Sequence, residues 1–201
     1  MKRRLRIVVA DDEPLIRRYF QEILPELGHE VVAAAATGPE LIAACRRTRP
    51  DLVISDIKMP EVDGIDVARE ISGEQPVPFI IVSAYHDPDL IERAATAHVM
   101  GYLVKPIGRS DLETAIAVAW SRFEELRALK QEAGELRQAL EERKLIERAK
   151  GVLINKTGLS EPDAFRRMQR MASDTNRKLV EVARLILAAE PTIELFRKED
   201  A

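Results

Sequence analysis

At 201 residues the chain holds one full domain and a smaller second piece, and its net charge of −3 argues neither for nor against a nucleic-acid partner. Hydrophobic residues make up 46% of it but aromatics only 4%, so aliphatic side chains must build the core. Cys45 is the sole cysteine, which excludes an internal disulfide and fits a reducing cytoplasm, and no apolar stretch approaches the roughly 20 residues needed to span a bilayer.

Taken in order, apolar runs bounded by turn residues predict strands near 6–10, 30–34, 51–55, 79–83 and 101–104. Helical patterns fall near 14–27, 39–48, 64–73 and 88–98, and from 110 onward. This alternation is that of an α/β domain, a (βα)5 doubly wound parallel sheet with right-handed crossovers. The basic start, Met1 to Arg6, leads into a strand too short for a signal-peptide core. Thr37-Gly-Pro-Glu40 and Ser110-Asp-Leu-Glu113 both read as capping boxes, and Pro39 falls in a first turn, where its missing N–H costs nothing. Cys45 lies on an apolar helical face, a packing position. His29, His86 and His98 show no metal spacing, and Asp87-Pro88-Asp89 reads as the loop that opens the fourth helix.

The strand ends carry the chemistry. Ile7-Val8-Val9-Ala10 is followed by Asp11 and Asp12, and Leu52-Val53-Ile54-Ser55 delivers Asp56. Phe79-Ile80-Ile81-Val82 ends in Ser83, and Gly101-Tyr102-Leu103-Val104 ends in Lys105-Pro106. Open α/β folds bind at the carboxyl ends of their strands. Four parallel strands thus gather three carboxylates, a hydroxyl and an amine, a set suited to holding a divalent cation and accepting a phosphoryl group. Mg²⁺ takes oxygen ligands and keeps several waters, so a few carboxylates suffice. The cation and the Lys105 ammonium would neutralise the incoming phosphoryl group, Asp56 would become an acyl phosphate, and Ser83 would hydrogen-bond the new oxygens.

Asp11-Asp12, Asp56 within D-x-K-M-P-x-x-D-G, the Ser83-Ala84 step and Lys105-Pro106 together resemble the receiver domain of two-component response regulators, over about residues 5–118. The resemblance implies that a sensor histidine kinase phosphorylates Asp56. It further implies Mg²⁺ on Asp12, Asp56 and the Lys58 carbonyl with Asp11 assisting, Ser83 and Tyr102 as a switch pair, and Lys105 as phosphate partner preceding a cis Pro106. Such a domain is a regulatory phosphoacceptor with only slow self-phosphorylation and dephosphorylation, and not an enzyme.

The domains expected are 1–118, a helical coiled-coil linker 119–141, a three-helix all-α piece 142–190, and a tail 191–201. From Ser110 to about Thr157 only Gly134 interrupts a continuous helix. Leu126, Ala133 and Leu140 repeat every seven, with Leu129 and Leu136 three residues later, as a and d positions of a dimerising seam. Next, Ser160-Glu-Pro-Asp163 caps a helix with an apolar stripe of Ala164, Phe165, Met168, Met171 and Ala172. A last helix from about Asn176 buries Leu179, Val182, Ala183, Ile186 and Leu187. Charge divides unevenly: residues 1–118 hold 14 basic and 19 acidic side chains, residues 142–187 hold 11 basic and 6 acidic. An acidic sensor joined to a basic half fits an anionic target.

Arg143-x-x-Ile146-x-x-Ala149-Lys150-Gly151, Ala164-Phe165-x-x-Met168, Ala172 and Asn176-Arg177-Lys178-Leu179 resemble the ANTAR domain, over about residues 136–190, with Met168 where leucine is usual. That family is one of RNA-binding antitermination modules, which implies hairpin RNA in nascent transcripts as partner and a homodimer, formed before or upon phosphorylation. Arg143 and Lys150 are seven apart on one helix face, and Gly151 beside them lets backbone approach closely. With Arg170, Arg177 and Lys178 they form the expected RNA contact set, since phosphates supply most of the energy and arginine planes stack on splayed bases. A DNA-binding transcription factor and a protein-interaction module stand as alternatives.

Overall fold

The computed structural model describes residues 3–84, 92, 93, 97 and 99–199, with side chains to residue 189. Two compact units divide the chain, Met1–Ala128 and Leu129–Ala201. In the first, strands β1 (Arg6–Ala10), β2 (Glu30–Ala35), β3 (Leu52–Asp56), β4 (Phe79–Ser83) and β5 (Val99–Val104) form one parallel sheet in the order β2-β1-β3-β4-β5. Helices α1 (Pro14–Glu26), α2 (Gly38–Thr48) and α3 (Gly64–Glu74) connect its strands, and α4 (Arg109–Thr157) follows it. The expected helix at 88–98 lies almost wholly outside the described residues, as do His86, His98 and Asp87-Pro88-Asp89.

Period-two alternation sorts the strand residues onto two faces. Val8, Ala10, Val53, Phe79 and Ile81 pack against Leu41, Cys45, Ile65, Ala68 and Ile71 of α2 and α3. Ile7, Val9, Leu52, Ile54, Ile80 and Val82 pack against Phe20 and Leu24 of α1 and against Leu112, Ile116 and Ala119 of α4. With helices on both faces the central strands are apolar throughout, which is why they read as unbroken runs. Cys45 is fully buried, and burial pushes its thiol up to about 12.

Two strands are displaced from their expected bounds. β3 begins at Leu52 and ends on Asp56 itself, and β5 starts at Val99, two residues early, where Val99 pairs with Phe79. The capping box at Thr37 forms in a shifted way: Thr37 Oγ1 accepts from the Glu40 N–H, while the Glu40 carboxylate accepts from the Ala36 N–H at 2.8 Å. The one expected at Ser110 does not form. Its helix starts at Arg109, and the Asp111 carboxylate accepts from the Gly108 N–H at 3.2 Å, so Ser110 sits inside the first turn.

The second unit comprises the C-terminal part of α4, α5 (Glu161–Asp174) and α6 (Leu179–Glu199). Its core is small: Ala149, Met168, Val182 and Ala183, flanked by Ile146, Leu153, Ala172, Leu179, Ile186 and Leu187. Gly158 ends α4 with φ of 69°, a left-handed turn that favours glycine, and Ser160 Oγ caps α5 through the Asp163 N–H. Two expectations are corrected here. Met171 points outward, 41% exposed, because at the end of α5 the core side belongs to Met168 and Ala172. Asn176 is not helical; its φ of 51° closes α5, and α6 begins at Leu179. Leu126, Leu129, Leu136 and Leu140 are all exposed along α4.

Candidate functional site

The sheet order places β1 and β3 side by side at the centre, and their carboxyl ends carry Asp11, Asp12 and Asp56. One ligand oxygen from each of the three lies within 4.8 Å of the others. β5 brings in the amine: Lys105 Nζ is 2.9 Å from Asp11 Oδ2, 3.0 Å from Glu13 Oε1 and 3.6 Å from Asp56 Oδ1. The Lys105 N–H donates to the Ser83 carbonyl at 2.8 Å, which fixes the two strand ends together, and the Lys105–Pro106 peptide is cis as expected. Ser83 is buried beside this cluster, and Tyr102 is half-buried on β5, packed against the α2–α3 side of the core.

Electrostatics follow from this crowding. Burial, opposed by Lys105 and reinforced by Asp11 and Asp12, pushes the Asp56 carboxyl up to about 6. Burial alone would lower Lys105, but its ion pair with Asp11, its hydrogen bond to Glu13 and the charge of Asp56 outweigh that and hold the ammonium above the ordinary lysine range. The site therefore concentrates more negative charge than one ammonium neutralises. Asp11 Oδ2 is buried and receives no well-directed hydrogen bond, although Lys105 sits beside it. Three converging carboxylates, one of them strained toward protonation, are a donor set that suits a hard divalent cation.

The loop after β3 is held from below. The Gly64 N–H donates to the Ile57 carbonyl at 2.9 Å, and a Cβ on Gly64 would lie 2.1 Å from the Asp56 carbonyl oxygen. Only glycine lets α3 start this close to the acceptor. Gly38 does the same for α2, where a Cβ would meet the Val62 carbonyl at 2.4 Å. Asp63 then caps α3 through the Asp66 N–H at 2.8 Å and receives Arg93 at 2.6 Å. Lys58, whose carbonyl belongs to the expected metal set, is exposed in this loop.

Sequence reasoning missed two residues. Glu13, directly after the acid pair, is the third carboxylate on Lys105, beside Asp11 and Asp56. Arg17, one turn into α1, donates from its guanidinium to the Asp11 carbonyl at 2.6 Å and the Asp12 carbonyl at 3.0 Å, pinning the acid pair from behind. The run Asp11-Asp12-Glu13 is a visible signal for the first. Nothing local marks the second.

Residues 7–117 match the family model of the response regulator receiver domain, and residues 134–187 that of the ANTAR domain. A relative carrying most of both halves is the transcriptional regulatory protein PdtaR of Mycobacterium tuberculosis, 47% identical over 182 residues, which cover 90% of this chain and 89% of that one. The chain is a response regulator of the receiver–ANTAR type. Among solved structures, a response regulator receiver domain protein from Clostridium thermocellum matches with a TM-score of 0.56 and 33% identity, covering 60% of this chain and 98% of its own. A CheY-like receiver from Methanospirillum hungatei gives 0.57 and 27%, covering 61% and 98%.

In the ANTAR domain the expected contact residues separate. Arg143, Arg170, Arg177 and Lys178 are exposed, and Gly151 is half-buried with open space around its Cα. Lys150 is not available in the same sense. Its side chain is 12% exposed, and its ammonium lies 2.6 Å from Glu147 and 2.7 Å from Glu161, which raises its pKa and lowers that of Glu161. It ties α4 to the start of α5. No helix among the described residues is long and apolar enough to cross a membrane.

Proposed function

We propose that a sensor histidine kinase phosphorylates the receiver on Asp56, and that phosphorylation controls an ANTAR domain that binds hairpin RNA in nascent transcripts as an antiterminator. The observation that carries this is Asp56 ringed by Asp11, Asp12 and Lys105, in a chain whose other unit bears exposed arginines. PdtaR being named a transcriptional regulatory protein supports the same output.

In this reading a carboxylate oxygen of Asp56 attacks the phosphorus of a phosphohistidine. The P–N bond breaks, and the departing imidazole nitrogen keeps the electron pair and is protonated by water. Asp12, Asp56 and the Lys58 carbonyl would hold Mg²⁺, with Asp11 assisting; when bound, the cation offsets charge on the phosphoryl oxygens. Lys105 would leave its carboxylates to pair with a phosphoryl oxygen. Ser83 donates to another oxygen, and Tyr102 follows it inward as the second half of the switch, with cis Pro106 setting the backbone after Lys105. The domain is a regulatory phosphoacceptor with slow self-phosphorylation and hydrolysis, not an enzyme with turnover. The exposed leucines of α4 are the seam through which two copies pair, in the phosphorylated form at least.

The test is binding to a tandem-hairpin RNA with and without beryllofluoride and Mg²⁺. Salt-dependent binding that tightens on activation and is lost in Asp56→Ala supports the reading. Equal binding in both states removes the phosphorylation control, and salt-insensitive capture of a protein instead of RNA removes the RNA output.

A further inference from the structure

The ANTAR cations fall into two classes. Lys144 is held by Glu141 at 2.7 Å, Lys150 by Glu147 and Glu161, and Arg166 by Asp163 at 2.6 Å. Arg167 and Arg170 have no carboxylate partner among the described residues. Both are exposed and, three residues apart, share one face of α5 that flanks the side burying Ala164 and Met168. Met171 lies beside them, exposed, and half-buried Leu159 adds a second apolar surface. Together with Arg166 and Thr175 they line an open concavity of about 630 Å³, with Asp163 and Asp174 at its edge.

From this combination we infer that the solvent face of α5, centred on Arg167, Arg170 and Met171, holds an unpaired loop of RNA; this rests on the RNA-binding reading above and assigns its contact face. A phosphate needs cations that are not already neutralised, and these two arginines provide them. A splayed base needs a flat or polarizable surface, which guanidinium planes and a methionine side chain offer. Asp174 has no cation partner among the described residues and is placed to accept from a base amino group. The same two carboxylates would repel a uniformly acidic peptide, which is why a base-bearing ligand fits better. Lys150, by contrast, is a structural tie and contributes little directly.

The experiment uses the full chain with Mg²⁺ and beryllofluoride and a pool of hairpin RNAs with randomised loops, followed by fluorescence anisotropy over a KCl series. The double variant Arg167→Gln with Arg170→Gln should lose about tenfold or more in affinity, and its slope of log K against log salt should flatten by about one to two units. Arg167→Lys with Arg170→Lys should keep the slope yet bind more weakly, because the charge stays and the planes are lost. Met171→Ala should weaken binding at unchanged slope. The inference is overturned if the wild type binds the pool while the double glutamine variant binds equally well with the same slope; the RNA reading then survives without it. Absence of wild-type binding to the pool overturns both. Polyglutamate that displaces the RNA as well as unlabelled RNA does, at equal charge, overturns it in favour of an acidic protein partner.

Discussion

Glu13 and Lys105 meet at 3.0 Å although 92 positions separate them in the chain. The pair places an exposed carboxylate on the amine that phosphoryl transfer needs, so Glu13 competes with the incoming group. Glu13→Gln should release Lys105 from one of its three partners. An ion pair with one exposed member is worth about 0.2–1 kcal/mol, so beryllofluoride should bind up to about fivefold more tightly in the presence of Mg²⁺. Isothermal titration checks this, and weaker binding would make Glu13 a positioning group instead of a competitor.

Asp56 gives a signed dependence on pH. Its carboxyl is raised from 3.8 to about 6 in the fold, so between these values the native state binds more protons than the unfolded chain. The stabilising contribution is complete below the unfolded value and disappears as pH climbs through about 6. In a metal-free buffer the receiver's melting temperature should therefore drop by a few degrees more in the wild type than in Asp56→Asn as pH rises from about 5 to about 7. Mg²⁺ affinity should run the other way and weaken below about pH 6, because the proton and the cation compete for the same oxygens.

Gly64→Ala tests how closely α3 approaches the acceptor. The added methyl would sit 2.1 Å from the Asp56 carbonyl oxygen and 2.7 Å from Ser55 Oγ, both fixed in β3. Overpacking of this kind costs about 1–3 kcal/mol, and backbone that cannot yield pushes it to the upper end. Urea melts should show that loss, together with impaired beryllofluoride binding, since Asp56 moves with its carbonyl.

Met168 is the largest fully buried residue of the ANTAR domain among the described residues. Met168→Ala should cost about 2–5 kcal/mol, comparable to the whole stability of so small a unit. Helical signal from the second unit should melt early while the receiver still binds beryllofluoride.

Leu129→Glu with Leu136→Glu places charge on the exposed seam of α4. Each buried leucine is worth about 1.5–3 kcal/mol, so self-association should weaken by about tenfold or more in sedimentation velocity of the activated protein. An unchanged dissociation constant would move the dimer contact elsewhere.

Much of this was legible in the residues because the decisive signals are local. Val8, Val53 and Ile81 announce buried strands by their apolar runs, and each strand delivers its Asp, Ser or Lys at a fixed offset. The resemblance then gave roles to those ends. What stayed hidden depends on neighbours distant in sequence. Lys150 looks free until α5 brings Glu161 onto it, and nothing ties Glu13 to the site until β5 presents Lys105. Met171 fits a helical stripe on paper, but the end of α5 turns it to solvent. Ser110 matches a capping motif, yet Asp111 reaches the backbone N–H first.

The buried Cys45 has a practical consequence. A thiol that stays protonated at neutral pH and out of solvent is silent toward maleimides. No native cysteine therefore needs removal before a single reactive one is introduced at an exposed position such as Ser173→Cys on α5. A dye attached there reports on one place only, and the native chain serves as its own unlabelled control.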